Sequence, residues 1–285
     1  METIKNYRLR SDLQKEFLVD IFHKKNNTAK PILIFCHGFK GFKDWGCFDL
    51  FGKKMAKNDF VFVKFNFSHN GTTLENPTEF DDLEAFGNNN FSIELADLQT
   101  VIDFILSDKF IVASEEVDKT KLYLAGHSRG GGIAIIKAAE CLAIKKLVTL
   151  ASVAEFGKFW KEEQMQAIKE KGVLFVRNER TKQNMPLYWQ LYQNYFDNLA
   201  RLHIPTIAKN IAIPFLIVHG TEDAAVPFSA AEELQHFVAG SKLLTVANAN
   251  HVFGAQHPFL TDELPKDFNF VVDEMIKFLK GNDEN

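Results

Sequence analysis

The sequence predicts a three-layer α/β domain, a mostly parallel sheet flanked by helices, and three observations lead there. Strand-like runs rich in β-branched and aromatic residues recur along the chain, and several are apolar throughout, as strands buried on both faces are. Amphipathic helical patterns fall between them, so strand and helix alternate. A length of 285 residues, 46% hydrophobic and 25% charged, supports a large buried core. It excludes disorder, collagen-like repeats and coiled coil for the chain as a whole.

The strand runs, in order, are residues 16–22, 31–36, 60–66, 121–125, 146–150, 214–219 and 242–246. The stretch 92–107 places Leu98, Val101, Ile102 and Ile105 on one helical stripe, and 270–280 does the same with Val271, Met275, Phe278 and Leu279. That last helix carries Lys277 and Lys280 in its final turn with Gly281 behind them, a stop signal. Alternation breaks between residues 152 and 205. There a short apolar run, 173–176, precedes Met185-Pro186 and an aromatic helix carrying Tyr188, Trp189, Tyr192 and Phe196, which reads as an insertion over the sheet's edge. The expected organisation is a core of residues 1–151 and 206–285 with a lid, 152–205, set into it. No internal repeat or Gly/Ser linker marks a second independent unit. The last five residues are expected to fray.

Charge and composition narrow the function classes. With 33 basic against 37 acidic side chains, a formal net charge of -4, there is no broad positive field to grip phosphate backbones, and nucleic-acid binding is disfavoured. The N-terminus has charge but no apolar h-region, and no stretch approaches eighteen apolar residues. This predicts a cytoplasmic protein without a membrane span. Three scattered cysteines, Cys36, Cys47 and Cys141, read as free thiols in a reducing compartment. No set of residues has metal-ligand spacing: Asp81, Asp82 and Glu84 have no fourth ligand and read as a solvated acidic loop, so neither metal nor cofactor is expected.

The chemistry is carried by the run 121–125, which leads into Gly126-His127-Ser128-Arg129-Gly130 and then a helical stretch, 131–141. G-x-S-x-G between strand and helix makes a turn so sharp that the serine is strained with its hydroxyl pointing out, while flanking side chains would collide with backbone. By composition such a match arises by chance roughly 0.03 times per chain, so it is a signal. Ser128 is the candidate nucleophile. A serine hydroxyl needs a base to take its proton and a carboxylate to hold that base in one tautomer. The run 214–219 ends in a loop with Glu222 and Asp223; the run 242–246 ends in a turn with His251, and His257 lies six positions on. The order Ser, Asp, His fits. The run 31–36 ends in His37-Gly38-Phe39-Lys40-Gly41, a turn whose Phe39 N–H, with that of Arg129, would make the oxyanion hole.

On these motifs the sequence resembles the α/β-hydrolase superfamily over nearly its whole length. Within it, the His37-Gly38-Phe39-x-Gly41 turn, Gly126-x-Ser128-x-Gly130, Gly220-x-x-Asp223-x-x-Val226-Pro227 and His251-x-Phe253 are similar to those of bacterial serine esterases. Cinnamoyl and feruloyl esterases, dienelactone-hydrolase-like proteins and the catalytic domain of prolyl-oligopeptidase-type peptidases share that pattern. The resemblance implies a Ser128-Asp223-His251 triad, no cofactor and a variable lid where 152–205 falls. It favours Asp223 over Glu222, by the spacing before Val226-Pro227. His251 is preferred to His257, which precedes Pro258 and is expected to bond locally. Dienelactone hydrolases proper carry Cys where this chain has Ser128, and the single Gly38 differs from a lipase-type His-Gly-Gly-Gly turn, which argues against bulky tertiary-alcohol esters. The expected activity is cleavage of a small carboxylic ester through an acyl-enzyme. A short-peptide serine peptidase is the nearest rival, disfavoured because the first strand starts too early to leave a gating domain. A non-catalytic binding module is the other rival.

His37 and His127 are expected to orient loops. Candidate substrate contacts are His69, Phe159, Trp189 and Phe253. The 28 phenylalanines suggest an aromatic-walled acyl pocket drawing on Phe39, Phe42, Phe228 and Phe253 beside the motifs and on Phe156, Phe159, Phe175 and Phe196 in the lid.

Overall fold

Nearly every residue of the interior strands is buried, which is why those runs lack alternation. The computed structural model describes residues 1–12 and 14–281, with only the backbone of Phe159; the expected fraying of 282–285 lies outside the described residues. The first half of the chain forms β1 (Glu2–Arg10), β2 (Glu16–His23), β3 (Lys30–Cys36), α1 (Phe48–Lys57), β4 (Val61–Phe65), α2 (Leu83–Gly87), α3 (Phe91–Leu106), β5 (Val117–His127), α4 (Arg129–Glu140) and β6 (Ile144–Leu150). Then come α5 (Glu162–Lys171), β7 (Val173–Arg177), β8 (Asn184–Tyr188), α6 (Trp189–Asp197), α7 (Leu199–Leu202) and α8 (Ile204–Ile207). The chain closes with β9 (Phe215–Gly220), α9 (Ser229–Phe237), β10 (Lys242–Val246) and α10 (Lys266–Lys280).

Eight strands make one sheet in the order β1-β2-β4-β3-β5-β6-β9-β10. From β4 to β10 neighbours run parallel, while β1 and β2 are antiparallel additions at one edge. This is the α/β-hydrolase arrangement. The chain leaves β3 for β4 on one side and then crosses to β5 on the other, so the β3/β5 boundary is a switch point where loops diverge and a crevice opens. Cys36 pairs with Gly126 across it, setting the turn after β3 beside the turn after β5.

One face of the sheet packs Val19, Ile21, Ile32, Ile34 and Leu124 against α3, α4 and α9. The other packs Phe22, Leu33, Phe35, Phe62 and Val148 against α1 and α10. Many of the phenylalanines are spent here: Phe35 meets Phe48, Phe51 and Phe62 with ring centroids 4.7, 5.4 and 6.1 Å away.

Three expectations need correction. β1 was not foreseen: it is largely exposed, and Asn6, at φ 55°, breaks its register against β2 between Ile4 and Tyr7, which erases the period-two pattern. Tyr188 ends β8 instead of entering the aromatic helix, because residues 173–177 and 184–188 pair as an antiparallel hairpin. Residues 152–205 leave the sheet between the interior strands β6 and β9, not at an edge, and pack on α2, α3 and α4. Among the described residues no helix is long and apolar enough to cross a membrane.

Candidate active site

The turn between β5 and α4 is built as its glycines require. A Cβ on Gly126 would sit 2.2 Å from Gly130 O, and one on Gly130 only 2.3 Å from His37 O and 2.6 Å from Cys36 O. A Cβ on Gly131 would meet Ser152 and, at 3.2 Å, Gly126 O of β5, and one on Gly132 would meet Phe156 and Ile204. Gly130→Ala is expected to cost more than about 3 kcal/mol, since backbone, not a movable side chain, is in the way; a thermal midpoint within two degrees of wild type would contradict this close packing.

Ser128 itself has φ 55° and ψ -122°, a conformation that β-carbon residues adopt at a cost of about 1–3 kcal/mol. It occupies the cap position of α4, where a serine side chain ordinarily bonds a backbone N–H, yet it makes no capping bond. Its N–H is held by Leu150 O at 2.9 Å. Among the described residues the hydroxyl makes no hydrogen bond, and Ser128 is half-buried.

The turn after β3 packs directly on it: a Cβ on Gly38 would lie 3.0 Å from Ser128 Cβ. His37 fixes this turn, its Nδ1 2.9 Å from Gly38 O and its Nε2 accepting the Phe67 N–H at 3.2 Å. Burial drives the ring's pKa down to about 4, so it is a neutral strut. Among the described residues the Phe39 N–H donates to no protein acceptor, and the Arg129 N–H belongs to the first turn of α4, where amides have no intrahelical acceptor. The Arg129 side chain grips Glu94 of α3 through Nε (3.1 Å) and Nη2 (3.0 Å), with its guanidinium carbon 4.5 Å from the Phe91 ring centre and 5.6 Å from that of Phe39.

Asp223 is buried beyond the end of β9, whereas Glu222 beside it is exposed. Its Oδ1 accepts the N–H groups of Ala225 and Val226, each at 2.9 Å, and its Oδ2 lies 2.7 Å from His251 Nδ1. Burial alone would raise this carboxyl; hydrogen bonds from His219, His251 and the Val226 amide outweigh it and hold the group well below the usual carboxylate range. His127 Nε2 bonds the His251 carbonyl oxygen at 2.9 Å. Burial first, and then the His251 charge, bring the His127 pKa down to about 3, consistent with a loop-holding role. His257 is no part of this cluster: its Nδ1 accepts the Gly46 N–H at 3.0 Å, a long-range bond and not the local one expected.

Ser128 and His251 open on one cavity of about 280 Å³, walled by Phe39, Trp45, Phe48, Asn178, Glu179 and Arg180 among others. A larger hollow of about 720 Å³ around Lys53, Lys57 and Glu263 shares none of these residues. Three expected contacts are not in the cavity wall. Phe253 is fully buried against Phe268, with centroids 6.2 Å apart, because its φ of 51° turns it into the core. Trp189 stacks on Tyr192, 5.9 Å away, within the insertion. His69 Nδ1 is tied to Ser68 Oγ at 2.8 Å. The Phe159 side chain lies outside what is described. The aromatic wall differs likewise: Phe39 lines the cavity, but Phe42 is buried, Phe156 stacks on Phe91 at 3.9 Å, and Phe175 and Phe196 face solvent.

The sequence reading missed Trp45 and Phe48, which follow the β3 turn closely, and the polar tip Asn178–Arg180 of the β7–β8 hairpin. Two short apolar runs flanking a polar stretch, 178–183, were the available signal for that hairpin. Arg180 fastens the tip, bonding Thr78 O (3.2 Å) and Glu79 Oε1 (3.3 Å) over the rings of Phe42 and Phe80. For metals, the described residues bring three carboxylates together, Asp20, Asp44 and Asp49, away from this cavity. Lys5, Lys43 and Lys64 already sit among them.

The model of the prolyl oligopeptidase family matches residues 92–275, more than half of the chain. The chain belongs to that family. In sequence it is similar to the AB hydrolase superfamily protein YisY of Bacillus subtilis, 24% identical over 200 residues, covering 60% of this chain and 72% of the relative. In structure it is similar to Est1E of Butyrivibrio proteoclasticus with bound ferulic acid, at a TM-score of 0.70 and 19% identity over 96% of this chain and 97% of that one. It is also similar to a puromycin-hydrolyzing peptidase of Mycobacterium tuberculosis, at a TM-score of 0.66 and 13% identity, over 98% of this chain but 39% of that one. This family member is a hydrolase of the α/β-hydrolase fold.

Proposed function

We propose that the protein cleaves carboxylic esters of small molecules through an acyl-enzyme, and the observation carrying this reading is the Asp223–His251 pair beside an uncommitted serine hydroxyl in one cavity. Ser128 Oγ attacks the carbonyl carbon while His251 Nε2 accepts its proton; Asp223 Oδ2 holds Nδ1–H and steadies the imidazolium. The Phe39 and Arg129 amides take the oxyanion, each worth about 2.7–4 kcal/mol in the transition state. His251 then returns the proton to the leaving alkoxide, and water repeats the cycle. Among the described residues Ser128 Oγ makes no hydrogen bond, and contacts of this kind often tighten only when substrate is bound. Residues 152–205 act as the lid, with the hairpin tip Asn178–Arg180 closing one wall.

Phe39, Trp45 and Phe48 favour a flat or extended acyl group, and the ferulic acid bound to Est1E supports the same class. With matched aryl esters, cinnamoyl-type and longer acyl groups are expected to exceed acetyl in kcat/KM by more than about tenfold, since burying a ring or several methylenes supplies at least that factor. Equal or poorer rates would contradict the aromatic wall.

A peptidase is the second reading, favoured by the family and by the puromycin-hydrolyzing neighbour. Rates on an aryl ester and on a dipeptide amide with the same acyl part decide between them, and faster amide cleavage would reverse the preference.

A further inference from the structure

We infer that His219 is a positioning residue for the triad carboxylate, donating a second imidazole hydrogen bond to the Asp223 oxygen that orients His251. The inference rests on the Ser128-Asp223-His251 reading. His219 lies one residue from the end of β9 and is completely buried. Its Nε2 is 3.2 Å from Asp223 Oδ2 and 3.0 Å from Val226 O. Its Nδ1 is buried with no partner among the described residues. A proton on Nδ1 would have no acceptor, so it belongs on Nε2, pointing between the carboxylate and the carbonyl.

The carboxylate is thereby enclosed. Oδ1 takes two amide donors, and Oδ2 has His251 Nδ1 at 2.7 Å and His219 Nε2 at 3.2 Å. His219 thereby adds a contact on Oδ2 that would oppose rotation of the carboxylate away from His251. His219 also shares the negative charge of Oδ2, which tempers its pull on the catalytic imidazole. Packing alone explains the residue poorly: the rest of β9 is Phe, Leu, Ile, Val and Gly, and an imidazole with an orphaned nitrogen is a costly filler for such a core. The titratable groups facing this carboxylate are His219 on β9, His251 on the loop after β10 and, behind it, His127 on β5, whose ring centre is 4.8 Å from that of His251.

The test uses the full chain and an activated ester. His219→Leu is expected to lower kcat about tenfold with KM changed less than twofold, the loss of one hydrogen bond to a charged group. The acid limb of its kcat/KM profile should move to higher pH, because Oδ2 then acts on His251 alone. His219→Gln, whose Nε2 can occupy the same place, should recover most of the rate and return the limb. In an Asp223→Asn background, His219→Leu should add less than a twofold loss. Equal losses in the Leu and Gln variants with an unmoved limb, or a full additional loss in the Asp223→Asn background, would make His219 a packing residue and overturn the inference. If Asp223→Asn alone left the rate intact, the triad reading itself would fail, a distinguishable result. Should His219→Leu not fold, His219→Asn, polar but too short to reach Oδ2, takes its place with the same expectations.

Discussion

Ser128→Ala is expected to abolish turnover of an activated ester by about 10⁴–10⁶-fold while leaving the thermal midpoint within a degree or two of wild type. The two halves of this expectation come from the same geometry. Ser128 Oγ makes no hydrogen bond among the described residues and does not cap α4, so its removal breaks no structural contact. Alanine keeps the β-carbon, and therefore keeps whatever strain the φ of 55° carries. Asp223→Asn should cost about 10³–10⁴-fold, because an amide donor facing His251 Nδ1 forces the proton onto Nε2, where it blocks acceptance from the serine. Since the Asp223 carboxyl is held well below the usual range, it stays ionised through the acid limb of the wild-type pH profile, and that limb reports a different group. Retained turnover in Ser128→Ala, measured with labelling by an active-site fluorophosphonate as a cross-check, would be incompatible with an acyl-enzyme.

How much of this was legible depends on whether the signal was local. The elbow at Ser128 could be read because two glycines four positions apart are forced by backbone contacts within a single turn. Asp223 could be read because it follows β9, buried throughout, and His251 because it sits in the turn after the next strand run, the short edge strand β10, in the chain order the motif requires. The sheet's antiparallel edge was not legible: Asn6 inserts a bulge into β1, and its polar outward residues carry no pattern a periodicity search would keep. The cavity wall was not legible either. Trp45, Phe48 and Arg180 come together only through tertiary packing, and Phe253, two positions after the candidate base, is turned away by a backbone angle that its residue type does not announce. His219 was passed over for a related reason, since a histidine inside an apolar strand looks like core until the neighbouring loop is folded over it.

Lys64→Met is expected to destabilise the protein by about 3–5 kcal/mol, the cost of removing one partner from a buried ion cluster. Lys64 is fully buried on β4, with Nζ 2.5 Å from Asp49, 2.6 Å from Asp44, 2.7 Å from Lys43 O and 3.1 Å from Asp20. Lys43 and Lys5 complete a cluster of three cations and three carboxylates. Methionine fills similar volume but leaves three carboxylates against two ammonium groups. Burial opposes ionisation of Asp44 and Asp49, and the lysine charges, Lys64 foremost, overcome it and hold both carboxyls below their ordinary range. A depressed folded-state pKa means that this stability is fully present above the ordinary carboxylate pKa, near 4, begins to be lost below it, and is gone once pH has fallen through the lower folded-state values. Lys64→Met should therefore unfold at lower denaturant at pH 7, yet show a shallower loss of stability on acidification than wild type. Adding Asp44→Leu, which restores charge balance, should recover more than half of the deficit. The cluster also anchors residues 43–49, which carry Trp45 into the cavity wall and Gly46 to His257. Below its unfolding temperature, Lys64→Met should raise KM for the aromatic esters more than it lowers kcat. A variant as stable as wild type, or one whose acid sensitivity is unchanged, would mean that the charges merely coexist there and contribute nothing to holding the loop.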